Sequence, residues 1–302
     1  MKYIIIGAGG TGGILGAYMT KAGKDVTLIA RGEHLTSIQN NGLKLEKLWE
    51  ESTEIIPVKA AHMDEYQEQP DVILVCVKSY SIDSIIPFIK RISGKHTIVI
   101  PILNVYGTGE NLQKKLPDIL VTDGCIYVSA YIRTPGVLCQ HSPILRIVFG
   151  TRRAEESTPV LEDICKDFHE CGIEGILSEH IQRDCMQKFS YVSPVGAASL
   201  YFNATAGEFL KEGAPRDMLK AMIQEILALS EAMGLSFDKD LVKTNLTILA
   251  SLPSEATTSM QRDVLKGKQS EIDGLIFEVV RLGEKYGVPV PEYQKVAEKY
   301  SI

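Results

Sequence analysis

The chain has 302 residues, enough for about two domains, and its 45% hydrophobic and 23% charged residues are ordinary for a soluble globular protein. A net charge of −6 argues against a nucleic-acid partner and leaves any phosphate binding to local arginines and lysines. The six cysteines and six histidines show neither a CxxC nor a zinc-like spacing, so no metal site is expected, and reduced thiols in a cytoplasmic protein fit best.

The N-terminus opens on Tyr3-Ile4-Ile5-Ile6, a continuous apolar run of the kind that forms a strand buried on both faces. Gly7-Ala8-Gly9-Gly10-Thr11-Gly12 follows and fits G-x-G-x-x-G. Gly13 to Ala22 reads as a close-packed helix, and Lys24 to Ala30 as a second strand. This βαβ order gives each glycine a task. Gly7 makes the turn, Gly9 admits a pyrophosphate and Gly12 lets helix and strand approach. The pyrophosphate is expected on the unpaired N–H groups at the helix start. No charged leader precedes this strand, and glycines interrupt the apolar stretch to Met19 too often for it to span a bilayer.

The tip of the second strand bears on the choice of dinucleotide. An NAD site usually carries an acid there for the ribose 2′-hydroxyl. Here the chain reads Ile29-Ala30-Arg31-Gly32, and a guanidinium pairs with a 2′-phosphate where a carboxylate would repel it. Arg31 therefore points to NADP(H), with a solvated surface arginine as the alternative and Glu33 close by.

Glu33 to Asn41 reads as a short helix, and Gly42 to Val58 as an irregular or hairpin segment. Asp71 to Val77 is another apolar strand that ends at Lys78, where a parallel sheet places its ligands. A helix over Ser81 to Ile92 and a strand over His96 to Leu103 lead to Asn104, whose amide can both donate and accept. Strands are expected over Ile119 to Thr122 and Cys125 to Ile132. Pro135-Gly136 is a turn. Val137 to His141 with Ile144 to Gly150 reads as an edge hairpin. Ser157 to Cys171 reads as a helix and Ile176 to Ser178 as a last strand. From about Asp184 only helical spacing remains, as in Met218-Leu219, Met222-Ile223, Ile226 and Met233 ahead of Gly234, and in Ile272, Leu275-Ile276 and Val279 ahead of Gly287. The expected fold is α/β: a Rossmann-type doubly wound parallel sheet over residues 1–183, then an all-α domain over 184–302.

With this layout the chain resembles the ketopantoate reductases (2-dehydropantoate 2-reductases) along nearly its whole length. The similarity lies in the glycine motif, Val77-Lys78, Asn104 with Gly107, and Pro135-Gly136-Val137 with His141. In the second half it lies in Met186-Gln187-Lys188-Phe189, Gly207-Glu208 and Ser259-Met260-Gln261-Arg262-Asp263. Ser270-Glu271-Ile272-Asp273-Gly274 and Val288-Pro289-Val290-Pro291-Glu292 complete it. The resemblance implies a C-terminal domain like that of 6-phosphogluconate dehydrogenase. It also implies NADPH-dependent reduction of a 2-oxo acid to a 2-hydroxy acid, with 2-dehydropantoate giving pantoate in pantothenate biosynthesis. By position, Lys188 is the implied catalytic proton donor and a substrate contact. Lys78, Asn104 and Glu271 join the glycine-turn residues as implied cofactor contacts, and Asn104 and Ser259 as substrate contacts. An ammonium suits the role, because hydride arriving at a carbonyl carbon builds negative charge on the oxygen. A homodimer is implied by analogy of fold alone.

Four positions depart from the family pattern. Asparagines expected one and two helical turns after the lysine are Val192 and Gly196, and two more are Ala206 and Ala256. A site built for hydrogen bonds loses discrimination when they go. Ser190, Ser193 and Thr258 are expected to compensate in part, and Pro194 to kink the helix that carries Lys188. Two other readings stand beside a 2-oxo acid reductase. One is a related opine or hydroxy-acid dehydrogenase, and the other a nicotinamide-binding sensor without catalysis.

Overall fold

The computed structural model describes residues 1–301 and divides them into two compact units, Met1–Leu103 with Gly107–Ile181, and Asn104–Tyr106 with the chain from Gln182 onward. In chain order the strands are β1 (Lys2–Ile6), β2 (Asp25–Ile29), β3 (Leu43–Lys47), β4 (Ser52–Ile56), β5 (Lys59–Ala61), β6 (Val72–Val75), β7 (Ile98–Pro101), β8 (Leu120–Val121), β9 (Asp123–Thr134), β10 (Val137–Gly150) and β11 (Glu174–Leu177). The first unit adds helices α1 (Gly10–Lys21), α2 (Gly32–Asn41), α3 (Ile82–Ile92), α4 (Thr108–Lys115) and α5 (Pro159–Glu170).

The expected parallel sheet is there, with six strands in the order β5-β2-β1-β6-β7-β8. Side chains alternate across a strand, so β1 feeds two cores. Tyr3 and Ile5 pack with Ile14, Leu15 and Met19 of α1, whereas Ile4 and Ile6 pack with Ile85, Phe88 and Ile89 of α3. A run without polar residues is what a strand covered on both faces requires. The sheet grows outward from β1 in both directions, so its switch point lies between β1 and β6, where such sheets take their ligands.

A second sheet, ordered β11-β10-β3-β4 with β9 paired to β10, was not expected as a separate layer. The segment read as an edge hairpin is instead one long strand, β10. It pairs antiparallel with β9 over Val137–Gln140 and Leu145–Gly150, and parallel with β3 at its start and β11 at its end. A register shift between Gln140 and Leu145 absorbs the polar break that looked like a turn, and the Gln140 amide closes it by donating to the Ser142 carbonyl (2.9 Å). The irregular stretch after Gly42 is the β3–β4 hairpin, followed by the short β5, which the sequence reading passed over.

The second unit is helical: α6 (Ile181–Phe202), α7 (Ala214–Ala232), α8 (Leu241–Ala250), α9 (Ser259–Leu265), α10 (Glu278–Tyr286) and α11 (Pro291–Tyr300), with a π-helical turn over Asp273–Phe277 ahead of α10. Its core is the methionine-rich stripe of α7 packed with Phe189, Phe209, Ile276 and Tyr293. Among the described residues no helix is long and apolar enough to cross a membrane, and no cluster of side chains could hold a metal ion.

Candidate active site

The glycine turn in the first unit leaves β1 with Gly7 at φ +102°, a backbone that L side chains rarely adopt. The Gly7 N–H donates to the Ile29 carbonyl at the end of β2 (3.1 Å), and a Cβ on Gly7 would lie 3.0 Å from Cys76 and Val77 beyond β6. The turn is therefore held between the two strand ends that carry Arg31 and Lys78. Gly12 packs so closely that a Cβ would stand 2.0 Å from the Gly7 carbonyl oxygen. Around Gly9 the opposite holds, since a Cβ there would meet nothing within 4 Å. Ala8 is buried, Gly10 and Thr11 open α1 half-exposed, Arg31 is exposed and Lys78 half-buried.

One residue at this turn escaped the sequence reading. His34 of α2 lies 2.8 Å from the Ala8 carbonyl through Nε2 and accepts the Gly136 N–H at Nδ1 (2.9 Å). A backbone N–H can only donate, so Nδ1 is the acceptor and the proton sits on Nε2, donating to Ala8. The β9–β10 turn thereby braces the glycine turn, and Ser37 adds a bond to the Pro135 carbonyl (3.0 Å). The only signal in the sequence was a histidine near Arg31, which is too weak to act on.

In the second unit the structure brings Lys188 and Asn104 together. The ammonium, on a residue only 8% exposed, donates to Asn104 Oδ1 at 2.8 Å. Asn104 arrives on a short segment gripped from both sides. Tyr106 packs on Phe189 with ring centroids 6.1 Å apart, and Val105 fits against Gly274, where a Cβ would fall 2.5 Å from a valine methyl. Glu271 is buried in the same unit at 4% exposure, ahead of the π-helical turn. Such turns recur at functional sites.

Lys188 stands on α6, which runs unbroken through Pro194. A proline has no N–H for the carbonyl four residues back. That carbonyl, on Ser190, is instead met by Nδ2 of Asn245 at 2.9 Å, and Asn245 is 3% exposed. A second buried tie comes from Ser193, whose hydroxyl donates to the Leu275 carbonyl and accepts from Tyr293, both at 2.6 Å. Hence Ser190 and Ser193 do not replace the missing asparagines. The Ser190 hydroxyl is bonded to the Gln187 carbonyl (2.7 Å), and Thr258, the third candidate, caps α9 by accepting from Gln261 N (3.2 Å).

Val192, Gly196, Ala206 and Ala256 line one cavity of about 210 Å³ beside this helix, together with Ser259 and Met260. Two of its walls are locked by backbone pairing, Ala206 N to Ala256 O (2.9 Å) and Gly207 N to Ser254 O (2.8 Å). Tyr191 also lines it, and burial pushes its hydroxyl up to about 12.

Comparison with known proteins follows the same lines. The chain is 24% identical over 297 residues to "Uncharacterized oxidoreductase YkpB" of Bacillus subtilis, covering 98% of this chain and 96% of the relative. It is 26% identical over 296 residues to the 2-dehydropantoate 2-reductase of Aquifex aeolicus, covering 96% and 93%. The crystal structure of a PanE/ApbA family ketopantoate reductase from Ralstonia eutropha superposes with a TM-score of 0.90 at 25% identity, over 99% of this chain and 97% of that one. D-mandelate dehydrogenase, in a ternary structure with NADH and anilino(oxo)acetate, superposes with a TM-score of 0.90 at 20% identity, over 99% and 96%. A family model described as ketopantoate reductase PanE/ApbA matches residues 3–154, and its C-terminal counterpart matches residues 180–300. The chain belongs to the ketopantoate reductase PanE/ApbA family, whose members are oxidoreductases acting on a CH–OH group.

Proposed function

We propose that the protein reduces a 2-oxo acid to the 2-hydroxy acid with NADPH. The observation that carries this reading is the buried Lys188 ammonium fixed on Asn104 Oδ1, within a family of CH–OH oxidoreductases. A dinucleotide suits the glycine turn: Gly9 leaves open space where a side chain would stand, and the first N–H groups of α1 lie beside it. Gly7, Ala8, Gly9, Gly10, Thr11 and Gly12 would hold the pyrophosphate and Lys78 would contact the cofactor. Arg31 would pair with the 2′-phosphate that distinguishes NADPH.

A reduced nicotinamide held there would supply the hydride for the carbonyl carbon. Everything else falls to the chain. Lys188 holds the carbonyl oxygen and gives it a proton as charge develops there. Asn104 keeps the ammonium in place through its Oδ1, which leaves its amide N–H₂ for the substrate or cofactor. Ser259 would bind the substrate at the cavity, and Glu271 would contact the cofactor. An oxidised cofactor would run the same chemistry backwards, so a hydroxy-acid dehydrogenase needs no different residues.

The test follows NADPH absorbance with a panel of 2-oxo acids, ketopantoate among them. Turnover of at least one acid, lost in Lys188→Met, is the expected result. No turnover with either NADPH or NADH would overturn the proposal.

A further inference from the structure

The cavity beside α6 lacks the amides that its four departing positions would have carried. Val192, Gly196 and Lys188 follow one another at four-residue spacing, so they share a face of α6. Across the cavity stand Ala206 and Ala256, brought face to face by their backbone pairing. Met260 borders Gly196, where a Cβ would lie 3.1 Å from its methyl. The methionine tip thus puts an apolar group beside the position where the family pattern has an amide. Among the described residues, neither a charged residue nor a side-chain amide lines the cavity; its polar groups are the hydroxyls of Tyr191, Ser199, Thr257, Thr258 and Ser259, of which Thr258 caps α9 and Thr257 accepts from Arg262 (3.2 Å).

We infer that this pocket selects 2-oxo acids whose side chain is bulky and apolar, branched alkyl or aryl, over the hydroxylated side chain of ketopantoate. The inference rests on the reductase reading above and narrows its substrate. A void of about 150 Å³ lined by apolar groups is enough for a benzene ring. At about 210 Å³ the cavity has room for a ring or a branched chain. A hydroxyl carried into it would give up water for a lining whose apolar side chains predominate and which holds no amide, whereas an apolar group loses nothing. The reaction is unchanged: the carbonyl carbon would receive the hydride of the reduced nicotinamide, which would thereby be oxidised, and the carbonyl oxygen takes its proton from the Lys188 ammonium. Only the group attached to the carbonyl differs.

Trimethylpyruvate is ketopantoate without its terminal hydroxyl, so the pair isolates that one group. With NADPH, kcat/KM for trimethylpyruvate and for phenylglyoxylate should exceed that for ketopantoate by about tenfold or more. Val192→Asn and Ala256→Asn should each shift the phenylglyoxylate-to-ketopantoate ratio at least about fivefold toward ketopantoate. The ratio is insensitive to the fraction of folded enzyme. Ketopantoate used as well as or better than trimethylpyruvate would overturn the inference while the reductase reading stands. Ratios unmoved in both variants would remove the cavity from substrate selection. Turnover of no 2-oxo acid would instead bring down the reductase reading, and this inference with it.

Discussion

The tie between Asn245 and the Ser190 carbonyl gives a prediction with its own internal control. In Asn245→Ala the carbonyl that Pro194 deprives of a helical partner becomes buried and unsatisfied, a loss of about 1–3 kcal/mol. In a Pro194→Ala background residue 194 regains an N–H, which can bond Ser190 O in the ordinary way. The same Asn245→Ala change should then cost only about 0.5–1 kcal/mol, the net worth of a bond whose acceptor keeps another partner. The cycle therefore predicts a coupling of about 1–2 kcal/mol between residues 194 and 245. Urea unfolding followed by far-UV ellipticity measures it, because the helices dominate that signal. The only tryptophan, Trp49, lies in the first unit, so its fluorescence gives a separate reading of that unit. Equal losses in both backgrounds would refute the reasoning, since Asn245 would then be stabilising something other than the proline break.

Four further outcomes are expected. Lys188→Met should lower kcat by about 10²–10⁴-fold while NADPH affinity, measured by calorimetry, stays within a factor of two or so, because the lysine acts on the carbonyl. Arg31→Ala should weaken NADPH by roughly ten- to a hundredfold and leave NADH nearly unchanged, as loss of a charged hydrogen bond to the 2′-phosphate requires. His34→Phe strands the Ala8 carbonyl and the Gly136 N–H together, and should weaken either dinucleotide by about tenfold with kcat at saturation little changed. Acid should loosen the first unit through Asp167. Burial opposes its charge, but Lys24 (2.6 Å) and the Tyr3 hydroxyl (2.6 Å) outweigh that and hold the carboxyl below the usual range. A depressed carboxyl stabilises the folded state above its unfolded pKa of about 3.9, and the benefit disappears as pH falls through the lower folded value. Asp167→Asn should therefore flatten the acid limb of a stability-versus-pH curve, and an unaltered limb would exclude this network as its source.

Much of the fold could be read from the chain because its signals are local. Tyr3–Ile6, the glycine turn and the return at Asp25–Ile29 form one unit closed within about thirty residues, and each position has a single steric reason for its identity. The helical second half was equally plain from the four-residue spacing in α7. The second sheet was hidden because its pairing is distant: β3 meets β10 across almost a hundred residues, and no local pattern encodes that choice. The irregularity around Ser142-Pro143 mimicked a turn because a serine and a proline interrupt the apolar pattern there. Pairs such as Lys188 with Asn104 were reached through resemblance, since a lysine and an asparagine 84 positions apart carry no periodicity. Asn245 was missed altogether. Its signal would have been Pro194 inside a helix, which leaves a carbonyl in need of a donor without saying where the donor comes from.

The segment Asn104–Tyr106 has a consequence for anyone who would take the molecule apart. It is threaded through the sequence of the sheet unit but counted, by its neighbours, with the helices. A fragment begun at residue 182 would keep Lys188 yet lose the oxygen that steadies it, and would leave Gly274 facing a vacancy the size of a valine. The complementary fragment would carry Val105 and Tyr106 without the Gly274 and Phe189 they pack against. No single cut yields two intact pieces, so trimming or domain exchange in this chain must carry a three-residue graft along with the helical half.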